Sequence, residues 1–167
     1  EEAKAQAEQQ AQANPMLALT LTRHANDSYL VRLTGSWDEF YAAKRSASWR
    51  KTDKKKRNRL AKFGDVTFAT VTDRAEIERT IDALIEQKKS SYAHLGVANM
   101  FEWPGYRDFF IDLATNAQSS GLTHASRVDV GEKTVAANFG LMHRGRYYYI
   151  LAGYDDGDLA RFGPGAM

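Results

Sequence analysis

The chain has 167 residues, 43% apolar and 26% charged, with a formal net charge of +2. That balance suits one globular domain, or one domain plus a fragment; it excludes wholesale disorder and implies no polyanionic partner by itself. Cysteine is absent, which removes disulfide frameworks and thiolate zinc sites. No apolar run nears the roughly 20 residues of a membrane-spanning helix, and no secretory signal is visible. A reducing, cytoplasmic setting fits. The first residue is not Met and the last ones fall inside an apparent motif, so an internal piece of a longer protein is expected.

Residues 1–15 are mostly Ala, Gln and Glu, with helix propensity but no apolar face to bury, and read as a linker or frayed helix ended by Pro15. Residues 16–48 read as a hairpin and a short helix, a possible remnant of a preceding domain. Its arms are Leu17–Thr22 and Tyr29–Leu33, which alternate apolar and polar around Asn26-Asp27-Ser28; Ser36 then caps a helix carrying Trp37, Phe40 and Tyr41.

The main charge anomaly runs from Arg50 to Lys62, with Asp53 as a candidate N-terminal cap and Gly64 as a stop. It reads either as a phosphate-binding stripe for nucleic acid, anionic lipid or a cofactor, or as a solvated helix face with Trp49, Leu60 and Phe63 turned inward. Basic runs are common and few are specific, which favours the solvated face.

Val66–Val71 alternates and is β-branched, a strand. Asp73 and Glu76 have capping-box spacing before a helix with Ile77, Ile81, Leu84 and Ile85 on one face and Gly96 at its end. Pro104 suits the first turn of a second helix striped by Tyr106, Phe109, Phe110, Leu113 and Ala117. That spacing favours core packing over an aromatic ligand cage. Three strands follow. Thr123–Val130 alternates imperfectly; Lys133–His143 places Val135, Ala137, Phe139 and Leu141 on one side; Arg146–Tyr154 is aromatic. The turns are Gly131-Glu132 and Arg144-Gly145.

The chain closes on Asp155-Asp156-Gly157-Asp158 and then Arg161-Phe162-Gly163-Pro164-Gly165-Ala166. Glycines after a strand let backbone N–H groups approach an anion, so this is either half of a phosphate cradle or a plain Gly-Pro-Gly turn. Candidate proton acceptors near the strand ends are His124, His143, Tyr154 and Asp155, and spacing separates none of them. Four scattered histidines show no metal-ligand spacing, so no metal is expected.

From Val66 the order is strand, helix, helix, three strands, glycine loop. This order resembles the N-terminal part of a GNAT acyltransferase domain, and residues 49–167 more narrowly resemble its CelD-like branch, associated with cellulose biosynthesis. The residues that carry the likeness are Arg57-Asn58-Arg59-Leu60, Tyr92-Ala93-His94-Leu95-Gly96, Phe101-Glu102-Trp103-Pro104, Val135-Ala136-Ala137-Asn138-Phe139, Tyr147-Tyr148-Tyr149, and Gly153-Tyr154-Asp155 through Ala160 to Gly165. The resemblance implies an α+β fold with a mixed, mostly antiparallel sheet and flanking helices, here incomplete. It implies acyl transfer from acetyl-CoA or another acyl-CoA to an amine or hydroxyl of a small-molecule or saccharide acceptor. It implies that Arg161, Phe162, Gly163, Pro164, Gly165 and Ala166 hold the diphosphate. Tyr148 to Gly153, among them Ile150, Leu151 and Ala152, would pair with pantetheine, and Tyr154 and Asp155 are the catalytic candidates. Two other readings stand beside it: a Fem-like aminoacyl transferase using charged tRNA, and a binding module without chemistry.

Overall fold

The computed structural model describes residues 29–118 and 120–166, together with Gln9. The chain divides into two compact units, Glu1–Ala43 and Lys44–Met167. In the first, helix α1 (Trp37–Lys44) opens on a reciprocal cap. The Glu39 N–H donates to Ser36 Oγ at 3.3 Å, and the Ser36 N–H donates to Glu39 Oε2 at 2.8 Å. Trp37 stacks on Tyr41, with centroids 5.7 Å apart. Tyr29–Leu33, expected as a hairpin arm, forms no strand, and its apolar side chains are exposed. The other arm, the turn between them and the segment 1–15, apart from helical Gln9, lie outside the described residues.

The second unit contains a four-stranded antiparallel sheet in the order β1 (Val66–Val71), β2 (Thr123–Val130), β3 (Lys133–His143), β4 (Arg146–Tyr154). Its helices are α2 (Ala47–Leu60), α3 (Arg74–Leu95) and α4 (Tyr106–Gln118). The architecture is α+β, and the order from Val66 is the expected one. Asp73 caps α3 by accepting the Glu76 N–H at 3.0 Å, and Gly96 ends it in the left-handed conformation at φ +64°. The basic helix begins earlier than expected. Ser46 accepts the Trp49 N–H, and Asp53 lies inside the helix rather than at its cap.

Two cores clasp the sheet. On one face α3 and α4 bury Ile77, Ile81, Leu84, Phe110, Ile111 and Ala114 against Ala125, Ala137, Phe139 and Leu151. The stripe of α4 is rotated from the expected one: Ile111 and Ala114 face the core, while Phe109 is exposed. A second cluster joins Leu60 of α2 to Val128, Val130, Val135, Ala136, Leu159 and Phe162. Strand β2 lies inside the sheet and is buried along nearly its whole length, so an alternating pattern has no solvent face to mark. Strand β3 departs from the expected parity. A register shift opposite Val128/Asp129 inserts Val135, which therefore packs with Ala136 in the second cluster instead of with Ala137, Phe139 and Leu141. Of the three side chains expected to anchor α2, only Leu60 is buried; Trp49 and Phe63 are more than half exposed.

A buried ion network ties α3 to the sheet. Arg127, 6% exposed, donates from Nε to Asp129 Oδ2 at 2.7 Å and from Nη1 to Thr80 Oγ1 at 2.9 Å. Its Nη2 meets the Glu76 carboxylate, which is drawn to Arg127 rather than back to its own helix cap. Thr134 Oγ1 donates to Asp129 Oδ1 at 2.6 Å, bringing β3 into the same network. Replacing Arg127 with Met leaves the buried Asp129 carboxylate with only the Thr134 hydroxyl and the longer 3.6 Å pair to Arg79. The expected loss is about 3–5 kcal/mol in denaturant unfolding, largely recovered when Asp129→Leu is added. An equal loss in the double variant would refute the network as the cause.

Gly153 of β4 lies directly against α3. A Cβ built there would stand 2.7 Å from Gln87 Cβ. Gly153→Ala is expected to destabilise by about 1–3 kcal/mol through displacement of α3. Thermal unfolding checks this; Gln87→Ala in the same chain, which keeps the Cβ, should relieve only the smaller part due to Gln87 Oε1, 2.9 Å from the same point.

Candidate functional site: the β4 edge and the glycine loop

Strand β4 is one of the two edges of the sheet, opposite β1. Its pairing with β3 slips by one residue: Phe139 faces Leu151, but Gly140 faces Tyr149, leaving Ile150 as the extra residue of a bulge. Ile150 is half exposed, Leu151 points into the core against Phe139, and Ala152 lines a cavity on the opposite face. Leu151 can therefore offer a ligand its backbone but not its side chain. An edge strand presents backbone donors and acceptors to any extended molecule with amide groups.

The segment after β4 is fastened at several points. The Asp155 N–H donates to the Val135 carbonyl at 2.9 Å, and its carboxylate pairs with Lys133 Nζ at 2.7 Å. Ser90 donates to the Asp156 carboxylate, which holds that acid below its usual range. Leu159 and Phe162 plug into the second core, with the Phe162 ring 5.7 Å from Phe63. Gly163 sits at φ +63°, and its N–H donates to the Ala160 carbonyl at 2.9 Å. Pro164 is buried, Gly165 is exposed, and Ala166 closes the last 3₁₀ turn. A Cβ on Gly165 would stand 3.4 Å from Tyr154, and one on Gly163 would stand 3.5 Å from Lys56 Nζ.

These pieces border an open cavity of about 590 Å³ lined by Phe68, Ser126, Asn138, Tyr149, Tyr154 and the Gly163–Gly165 loop. Of the candidate residues, the structure thus gathers Ala152, Tyr154, Gly163, Pro164 and Gly165 at one place. Arg161 turns instead toward α2, with its guanidinium 5.0 Å from the Phe162 ring centre. Phe162 is an anchor inside the core, and Asp155 is engaged by Lys133.

A polar chain runs off the same cavity. Tyr147 donates its hydroxyl proton to Asn138 Oδ1 at 2.6 Å, and Asn138 Nδ2 donates to Ser126 Oγ at 3.0 Å. The Tyr147 ring lies over Gly140, where no side chain would fit, and meets His124 edge-on at 5.6 Å. Burial, helped by the neighbouring Tyr149, pushes the Tyr147 phenol up to about 12, and burial pushes the His124 imidazole down. At neutral pH this corner holds a protonated phenol and a neutral imidazole. Sequence reasoning named His124 as one of four candidates that spacing did not separate, and gave no functional role to Tyr147, Asn138 or Ser126. Ser126 and Asn138 become neighbours only through the β2–β3 register, and a bulge hid that register. His143 ends β3 exposed, His94 lies exposed near the end of α3, and His24 is outside the described residues.

Among the described residues no group of three or more His, Asp or Glu side chains could hold a metal ion, and no helix is long and apolar enough to cross a membrane. A bulged edge strand, a tightly turned glycine loop and an ammonium group beside Gly163 do fit a ligand made of an amide chain joined to phosphates.

No curated protein matches the chain. A family model described as an acetyltransferase (GNAT) domain matches residues 47–167, and such domains generally use acetyl-CoA. The match takes in α2, the whole sheet, α3 and α4, and the glycine loop, and on that extent the chain belongs to the GNAT acetyltransferase family.

Proposed function

We propose that the chain is an acyl-CoA-dependent acyltransferase of the CelD-like branch, transferring an acetyl or related group to an amine or hydroxyl of a small-molecule or saccharide acceptor. The observation that carries the reading is the continuity of the β4 edge, bulged at Ile150, with the glycine loop beside Lys56. The backbone of Ile150, Leu151 and Ala152 would hold the pantetheine, and the turn from Gly163 to Ala166 the diphosphate, with Arg161 and Phe162 bracing that turn from α2 and the core. Bound acyl-CoA supplies the reactive thioester carbonyl.

The chain's own contribution is placement and proton handling. Tyr154 forms part of the cavity wall next to Gly165. Asp155 fixes the turn below it through Lys133, which makes it a positioning residue for Tyr154. The neutral His124 imidazole is a ready proton acceptor for an amine or hydroxyl entering that corner, and the Tyr147 phenol is a donor that stays protonated at neutral pH.

Calorimetric titration of the full chain with acetyl-CoA tests the reading, with folding followed by circular dichroism. Saturable binding is expected. Gly163→Val, which forces a β-branched residue into the left-handed region, should weaken it by about tenfold or more, in line with loss of a charge-assisted phosphate contact. A folded chain that takes up no acetyl-CoA at millimolar concentration would overturn the proposal.

A further inference from the structure

The terminal loop borders a second groove, distinct from the cavity under Tyr154. It has a volume of about 520 Å³ and is lined by Thr52, Lys55, Lys56, Arg59, Arg161 and Phe162. The first four are spaced i, i+3, i+4 and i+7 along α2 and so share one face of that helix. Leu60, packed with Leu159 and Phe162, presses this face toward the loop. Lys56 is half-buried, and neither it nor Lys55 nor Arg59 forms an ion pair or hydrogen bond among the described residues.

These three cations, with Arg161 a fourth on the loop side, repel one another without a counterion, and partial burial raises the cost for Lys56. An anion of high charge density removes both penalties. The groove opens beside Gly163, where the chemistry of acyl-CoA places its diphosphate if the proposed function holds. The next anionic group of that molecule beyond the diphosphate is the phosphate on the ribose 3′ oxygen. Phe63, more than half exposed and packed on Phe162, offers an aromatic face at the same end for the adjoining base.

We infer that the groove between α2 and the terminal loop is the seat of the donor's 3′-phosphate, with Lys55, Lys56 and Arg59 as its ligands, and that it makes this chain select CoA over dephospho-CoA. The inference rests on the acyl-CoA reading and adds to it a specificity-determining helix. The earlier choice between a solvated face and a phosphate stripe is thereby divided along α2: the face at Thr52, Lys55, Lys56 and Arg59 serves the ligand, while Lys51, Lys54 and Arg57 lie exposed elsewhere on the helix.

The test is calorimetric titration of the full chain with acetyl-CoA and, separately, with acetyl-dephospho-CoA, at physiological salt. The intact chain should bind acetyl-CoA about tenfold to a hundredfold more tightly, as expected for loss of one multiply hydrogen-bonded phosphate. Lys55→Gln, Lys56→Gln and Arg59→Gln together, with folding checked by circular dichroism, should bring the two affinities to within about twofold of each other. Lys51→Gln, Lys54→Gln and Arg57→Gln, with the same change in net charge, should leave the discrimination in place. Equal binding of the two ligands by the intact chain overturns the inference while leaving the acyl-CoA reading intact. So does discrimination that survives the first triple variant. Binding of neither ligand removes both. Salt-sensitive binding of tRNA or of anionic vesicles that the first triple variant abolishes, with no preference for the 3′-phosphate, would reassign the groove to a macromolecule.

Discussion

The candidate site exists because Leu159 and Phe162 insert into the apolar cluster formed by Leu60, Val128, Val130, Val135 and Ala136. Without that insertion the residues after β4 would be a tail with no reason to lie beside the sheet, and the basic helix would have only Leu60 to dock with. The insertion works on both sides. It turns the loop so that Gly163 and Gly165 line one cavity while Arg161 faces another. It also sets the register of α2 against the loop, which places Lys56 Nζ next to Gly163. Burial of one aromatic and one aliphatic side chain thus fixes where the charges meet, which fits the rule that non-directional burial supplies the energy and polar groups supply the address.

The two β-bulges do complementary work. The one at Val135 delivers an additional apolar side chain to the cluster that receives Phe162. The one at Ile150 breaks the parity of the edge strand, so that Tyr147 and Tyr149 stand over the polar corner while Leu151 still reaches the opposite core. A strand of strict alternation could satisfy only one of these demands along its whole length. The Arg127 network stabilises the same region from the other face, since it joins the first turn of α3 to β2 and, through Thr134, to β3.

Local signals were legible in the sequence wherever the physics is local. Asp73 and Gly96 bound α3 as their cap chemistry dictates, the Gly131 and Arg144-Gly145 turns close the meander, and strand–helix–helix–three strands follows from periodicity alone. What was not legible depends on distant partners. Glu76 has capping-box spacing, yet a buried guanidinium 51 residues away is a stronger attractor for its carboxylate than its own helix N-terminus. Val135 reads as one of four inward residues until a bulge shifts it. Asp53 is a good capping residue, but Ser46 starts the helix a turn or more earlier and leaves Asp53 in its interior. The glycine loop was readable as a motif, while its neighbours Lys56, Asn138 and Tyr147 required the fold.

The loop itself sharpens how an anion could be held. A cradle made only of main-chain donors needs several free N–H groups pointing at one spot. Here the Gly163 N–H is already committed to the Ala160 carbonyl, and Pro164 has none to give. The tight turn this creates brings the chain close to α2, and the positive charge comes from side chains on that helix. Glycine at 163 is then required for conformation, at φ +63°, more than for its amide. An anion site built this way depends on the packing that holds α2 in place, so a change at Leu60, which is fully buried and touches no ligand, would be felt as a loss of charge at the loop.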